Sequence, residues 1–249
     1  MHDPSDSQAS RERQRPEAST GAPRMLVIET SHRIGVVALA EGERLLAERR
    51  LDETRRHARD LAPAIRDLLA GQGWKARDLH AVIVSRGPGS YTGLRVGIMS
   101  AKTLAYATGC TLLATDTFAA IACQAPPAVL TLDVITDAQQ DKLYVQRFTR
   151  SSSAEPLTPA TALSIQPFAA WQASLTDQDW VSGPGLEKFG ERFPVHVRIV
   201  PAAAWFPLAA SLARLGLERL NLGEKDDVFA VEPLYLRPSS AEEKWQGSR

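Results

Sequence analysis

An α/β fold of two lobes, with mixed sheets flanked by helices, is what this sequence predicts, and three observations carry it. Short apolar runs of strand length alternate with segments of helical periodicity. Between residues 25 and 125 these signals follow the order β-β-β-α-β-α-β-α. After residue 126 a second and weaker series of strand and helix signals begins. A chain of 249 residues has ample length for a real core. The expected divisions are a disordered arm over 1–24, an N-terminal lobe over 25–125, a smaller C-terminal lobe over 126–240 and a loose tail over 241–249.

The elements follow in order. "MLVIET" from Met25 is a short apolar strand, and "IGVVALA" from Ile34 is a second. After the Glu41-Gly42 turn, "ERLLAERRL" alternates as a third, and links this short imply an antiparallel meander. Ala58, Leu61, Ile65, Leu68 and Leu69 recur at helical spacing, with Gly71 closing the segment. Pro63 lies inside it, so the helix is kinked there or begins only near Asp60. "LHAVIVS" is a fourth strand, followed by the glycine loop "SRGPGSYTGLRVG" and a helix from Thr92 to Ala107 that stops at Gly109. "CTLLAT" is a fifth strand, and "DTFAAIACQ" a third helix capped by Asp116. This is the order of the ribonuclease-H-like fold, which also builds each half of the actin-like ATPases; as a guide to function it is analogy alone.

In the second segment, "AVLTLDVITDAQQDKLYVQRF" reads as two strands around a polar turn. "WVSGPGLEKFG" reads as strand, turn and helix, and "PLAASLARLGLERL" as an amphipathic helix, both assigned to the smaller lobe. No internal repeat and no low-complexity segment is read. The first 24 residues are polar throughout and have almost nothing to bury. Their RERQR cluster is able to touch RNA, but a solvated tail is the preferred reading.

Lysine plus arginine, 29, equals aspartate plus glutamate, 29, so there is no bulk electrostatic attraction to nucleic acid or to an anionic membrane. Cys110 and Cys123 lack CxxC spacing and sit in apolar sequence, where buried free thiols are expected. No apolar run reaches the ~18 residues of a membrane span. The expected location is cytoplasmic.

Chemistry concentrates at the glycine loop. Glycines let backbone amides approach a ligand, and a helix opening behind them offers unpaired N–H groups. Gly87, Gly89, Ser90 and Thr92 are therefore competent to hold a phosphate, although neither GxxxxGK[ST] nor GxGxxG is present. A plain strand-to-helix turn is the competing reading. Behind the loop, Gly93, Gly97, Ala101 and Ala105 fall four apart and form a smooth ridge. Such a ridge suits close packing, either under the protein's own sheet or against a partner helix. Glu29 ends the first strand and is expected to face the loop across a cleft. Asp133 and Asp137 lie on the later hairpin, too few to assemble a nuclease-type metal centre without stretching. The five histidines include no HxxxH or HExxH pair, and GxSxG is absent. His57, beside Arg55, Arg56 and Arg59, reads as part of a solvated basic face.

"MLVIETS" at Met25, the His57 helix, "SRGPGSYTGLRVG" at Ser85, "TDAQQDKLY" ending at Tyr144 and "VEPLYLRPS" at Val231 occur in that order. Together they resemble the TsaB (YeaZ) family, over about residues 25 to 240. The resemblance implies an actin-like fold without catalysis of its own, paralogous to TsaD. TsaD carries an HxxxH metal pair after its glycine segment, where this chain reads "IMSAKTLAYATGCTLLATDTFAAIA", with no histidine. It implies a scaffold that pairs with TsaD through its first two helices, is joined by the ATPase TsaE, and serves threonylcarbamoyl transfer to adenosine 37 of tRNAs reading ANN codons. Carried onto this chain, the interface uses His57, Leu61, Ile65, Leu68, Gly93, Gly97 and Ala101. Contact with tRNA would be indirect, a homodimer would form when the partner is absent, and ATP or ADP would bind at the joint with none held tightly. Three departures stand out: Glu29 where the family has aspartate, Gln139 where it has arginine, and Lys142 where it has glutamate. The rival class is an enzyme in its own right, an actin-like nucleotide hydrolase or a glycopeptidase-type protein.

Overall fold

In the computed structural model, residues 21–51, 57–234 and 236 are described. Most of the expected arm, and the tail over 241–249, lie outside them. Arg24–Glu29 (β1), Val36–Glu41 (β2) and Arg44–Arg50 (β3) form the antiparallel meander that their short links dictate. β1 pairs in parallel with Ala81–Gly87 (β4), and β4 in parallel with Thr111–Asp116 (β5). The resulting order, β3-β2-β1-β4-β5, is the ribonuclease-H-like sheet. β1 and β4 are near-unbroken apolar runs because both faces of the sheet are covered.

One face is covered by His57–Gly71 (α1) and Tyr91–Thr108 (α2), whose Leu61, Ala64, Ile98, Ala101 and Ala105 pack with Leu26, Ile28, Val82 and Val84. α1 starts ahead of Asp60 and runs through Pro63, which lies on its exposed side. Gly109 ends α2 in the left-handed region and returns its N–H to the Ala105 carbonyl. Thr117–Ala122 (α3) follows β5 and reaches across to the second lobe, packing Phe118 and Ile121 with Val129, Leu132 and Val134. Asp116 precedes α3 but does not cap it with its side chain. Its Oδ1 accepts instead from Arg86 Nε at 2.5 Å, because a guanidinium is the stronger partner for a carboxylate.

The second sheet begins with the hairpin of Thr131–Asp137 (β6) and Lys142–Thr149 (β7). β7 pairs antiparallel with Thr158–Pro159 (β8) and Ser164–Pro167 (β9); Phe168–Ala173 (α4) follows. Trp180–Ser182 (β10) lies parallel to β6, and, after Leu186–Phe189 (α5), Arg198–Ile199 (β11) lies parallel to β10. With β8 and β9 counted as one broken strand, every parallel and antiparallel pairing of the first sheet recurs. The molecule is thus an internal repeat, contrary to the expectation of none, and a doubled unit of this topology is the actin-like architecture. Its one local trace is a turn: Gly87-Pro88-Gly89 follows β4 and Gly183-Pro184-Gly185 follows β10, with φ of 114° at Gly87 and 113° at Gly183. Side chains rarely adopt that backbone, so glycine recurs.

Ala209–Asn221 (α6) departs from the expected division. Its Ala209, Leu212, Ala213 and Leu217 pack on Met25, Val27 and Ile83, covering the other face of the first sheet. The chain beyond it stays there: Asp226 donates its N–H to Leu112 O at 2.9 Å and accepts from Ala114 N at 2.6 Å, covering the β5 edge. The smaller lobe expected over 126–240 therefore ends before α6. An amphipathic pattern says that a helix buries a face without saying against which sheet. No helix among the described residues is long and apolar enough to cross a membrane.

Candidate functional site

The glycine loop closes on its own chain. Ser90 caps α2, its Oγ accepting from Gly93 N at 3.3 Å, while its N–H donates to Ser31 O at 2.6 Å. A Cβ on Gly89 would collide with the Ser31 carbonyl, one on Gly93 with the Thr30 carbonyl and one on Gly97 with Thr30 Oγ1. The three glycines form a track along which the chain leaving β1 lies flat on α2. The amides of Ser90 and Gly93 are thereby spent on the protein's own oxygens.

Glu29 is turned into the interior at the end of β1. It is 1% exposed, its Oε1 accepts from Ser31 N at 2.5 Å, and its Oε2 makes no hydrogen bond. Burial pushes its pKa up to about 7, against the pull of the Ser31 and Ser85 hydrogen bonds. It lines a pocket of about 260 Å³ with His32, Glu48, Arg50, Glu187 and Phe206. None of Gly87, Gly89, Ser90 and Thr92 lines that pocket. Asp133 is buried against Arg147 and Trp171, and Asp137 pairs with Lys188. Among the described residues, no three His, Cys, Asp or Glu side chains are placed to hold a metal ion.

The expected partner-binding set divides in the same way. Gly93, Gly97 and Ala101, with Ala105, are buried on the face that α2 turns to its own sheet, and Leu61 and Leu68 pack into that core. Gly93, Gly97, Ala101 and Leu61 therefore belong to the interior, the ridge being smooth because β1 and its exit need the space, while Leu68 is only half-buried. The His57 side chain lies outside the described residues. Ile65 alone of this set reaches a surface feature, an apolar groove of about 710 Å³ between α1 and α2. Ala62, Leu69, Trp74, Met99 and Leu104 line it too, with Met99 59% exposed. Spacing alone does not single these residues out, because an apolar side chain in a helical period reads the same whether it faces the core or a neighbour. The available signal was width: α2 carries apolar residues on more of its circumference than one buried stripe requires.

The family model for TsaD, tRNA N6-adenosine threonylcarbamoyltransferase, matches residues 45–171, half of the chain. A curated relative from Mycobacterium bovis, an uncharacterized protein, is 36% identical over 79% of this chain and 82% of its own length. The tRNA threonylcarbamoyladenosine biosynthesis protein TsaB of Bacillus subtilis is 28% identical over 89% of this chain and 97% of its own. The chain belongs to the TsaB (YeaZ) family. The solved structure of YeaZ from Pseudomonas aeruginosa agrees, with a TM-score of 0.70, 26% identity and coverage of 86% of this chain and all of that one. The stretch matched by the TsaD model runs from within β3 to within α4, so it contains both α1 and α2. The groove of this TsaB-family chain is therefore built entirely from the part that is similar to TsaD.

Proposed function

We propose that this chain is a partner-binding accessory subunit in the formation of threonylcarbamoyladenosine on tRNA, docking a TsaD-type protein on the groove between α1 and α2. The groove carries the reading: an open cleft lined mainly by apolar side chains, with Met99 59% exposed at its edge, is a surface that a partner helix would cover. Its position supplies the partner. A protein of the TsaD family carries a helix pair of the same kind, and two related helix pairs meet face to face as in an isologous dimer, forming a four-helix bundle. The same geometry admits a second copy of this chain when the partner is absent. A TsaE-type ATPase joins the assembled pair, and ATP or ADP is bound at that joint, the amides of Ser90 and Gly93 being already engaged. Catalysis is assigned to the partner: Glu29 is buried alone, and the buried Asp133 and Asp179 are both engaged by Arg147.

Met99→Glu tests this. The side chain is exposed, so the fold should be kept, while a charge is placed in the apolar joint. Light scattering on size-exclusion fractions should show a mixed complex for the wild type with a TsaD-type protein and separate species for the variant. Equal pairing by both would overturn the proposal.

A further inference from the structure

We infer that the docking surface continues beyond the groove onto an aromatic pair, Tyr106 and Phe229, and that this pair contacts the same TsaD-type partner; the inference rests on the reading above. α2 presents Met99, Thr103 and Tyr106 at i, i+4 and i+7, one stripe on its outer side. α1 flanks this stripe on one side. The chain after α6 flanks it on the other.

That C-terminal segment is firmly anchored. Lys102 Nζ, on α2, donates to the carbonyls of Phe229 and Val231, each at 3.1 Å. Asp227 Oδ1 accepts from Phe229 N at 2.8 Å, and Leu234 N donates to Arg86 O at 2.8 Å. Val228 and Val231 pack against the core beneath α1 and α2. On this fixed backbone the Phe229 ring turns outward and is 78% exposed. It meets Tyr106, itself 61% exposed, edge to face with centroids 5.9 Å apart.

Single exposed apolar side chains such as Val195 and Leu222 are ordinary. Tyr106 and Phe229 differ because they touch each other and because Tyr106 continues the α2 stripe whose Met99 and Thr103 line the groove. Rigid aromatic rings beside an apolar cleft lose little conformational entropy on binding and are the residue type that anchors interfaces. Any helix pair seated on Met99 and Thr103 meets Tyr106 one turn further along, and Phe229 beside it. Phe229 lies outside the stretch that matches TsaD, so it adds to the joint an element that the shared helix pair does not supply.

The test uses the full chain and titrates a TsaD-type protein by calorimetry. Phe229→Ser should raise the Kd about tenfold, with an unchanged melting curve. Tyr106→Ser should act in the same direction, and Val195→Ser, the isolated exposed control, should bind as wild type. If Phe229→Ser and Tyr106→Ser both bind as wild type while Met99→Glu abolishes binding, the aromatic extension is wrong and the groove reading stands. If all three bind as wild type, the groove reading falls as well.

Discussion

The two lobes share one sheet topology and differ in what hangs from it. The first lobe's crossover helices, α1 and α2, have 15 and 18 residues; their counterparts in the second, α4 and α5, have 6 and 4. A helix of one turn has little more than a buried face. Helices of four or five turns bury one face under their own sheet and still present another outward. The groove between α1 and α2 exists because both helices are long enough to have two sides. Repetition supplied the architecture, and elaboration of one copy supplied the surface.

The lobes also bury a carboxylate in opposite ways. Asp133 on β6 accepts from Arg147 Nε at 2.6 Å, Arg147 Nη2 at 3.0 Å and Trp171 Nε1 at 2.8 Å. Glu29 on β1 has no such cation, and its pKa is raised instead. Asp133→Ala should therefore have the largest effect, a loss on the order of 4 kcal/mol, since it strands the buried Trp171 indole N–H and leaves Arg147 with Asp179 as its remaining carboxylate. Chemical denaturation at pH 7 measures it, and a loss under about 1 kcal/mol would remove the contrast in how the lobes hold their acids.

The paired turns offer a finer comparison. A Cβ on Gly89 meets backbone, whereas one on Gly185 meets mainly the Ile135 side chain, which is able to give way. Gly89→Ala should cost about 3 kcal/mol and Gly185→Ala about 1 kcal/mol. Equal losses in denaturation midpoints would mean that the two turns are equally tight.

A gain in stability, in place of a loss, belongs to Glu29→Gln. A carboxyl whose folded pKa is raised from 4.5 to about 7 binds its proton more tightly in the folded state. Its contribution is present below pH 4.5, declines as pH rises toward 7, and above that becomes the full cost of burying a charge. The uncharged variant should be more stable than wild type by on the order of 2 kcal/mol at pH 8 and by under about 1 kcal/mol at pH 5. Melting curves at the two pH values with no difference in gain would show that Glu29 ionises freely in the folded protein.

Legibility differed between the lobes for the same reason. The first lobe announced its elements, because long helices repeat their period several times and strands such as β4 are unbroken apolar runs. The second hid its repeat, because strands of two or three residues and a four-residue helix are shorter than the periods that would reveal them. At the site, Ile65 was legible and Met99, Leu104 and Trp74 were not, since an apolar residue looks the same whether it faces its own core or a neighbour.

By itself the sequence determined the element order of the first lobe, the Gly109 stop of α2 and the turn after β4. Each depends on contacts within a few residues: an alternation of apolar side chains along a strand, a glycine where φ is positive. Only the tertiary structure decided which face of α2 is interior, that Thr30 and Ser31 fill the track of Gly89, Gly93 and Gly97, and that α6 returns to the first sheet. Those outcomes depend on which distant surfaces exclude water together, and a periodic pattern records that a face is buried without recording what buries it.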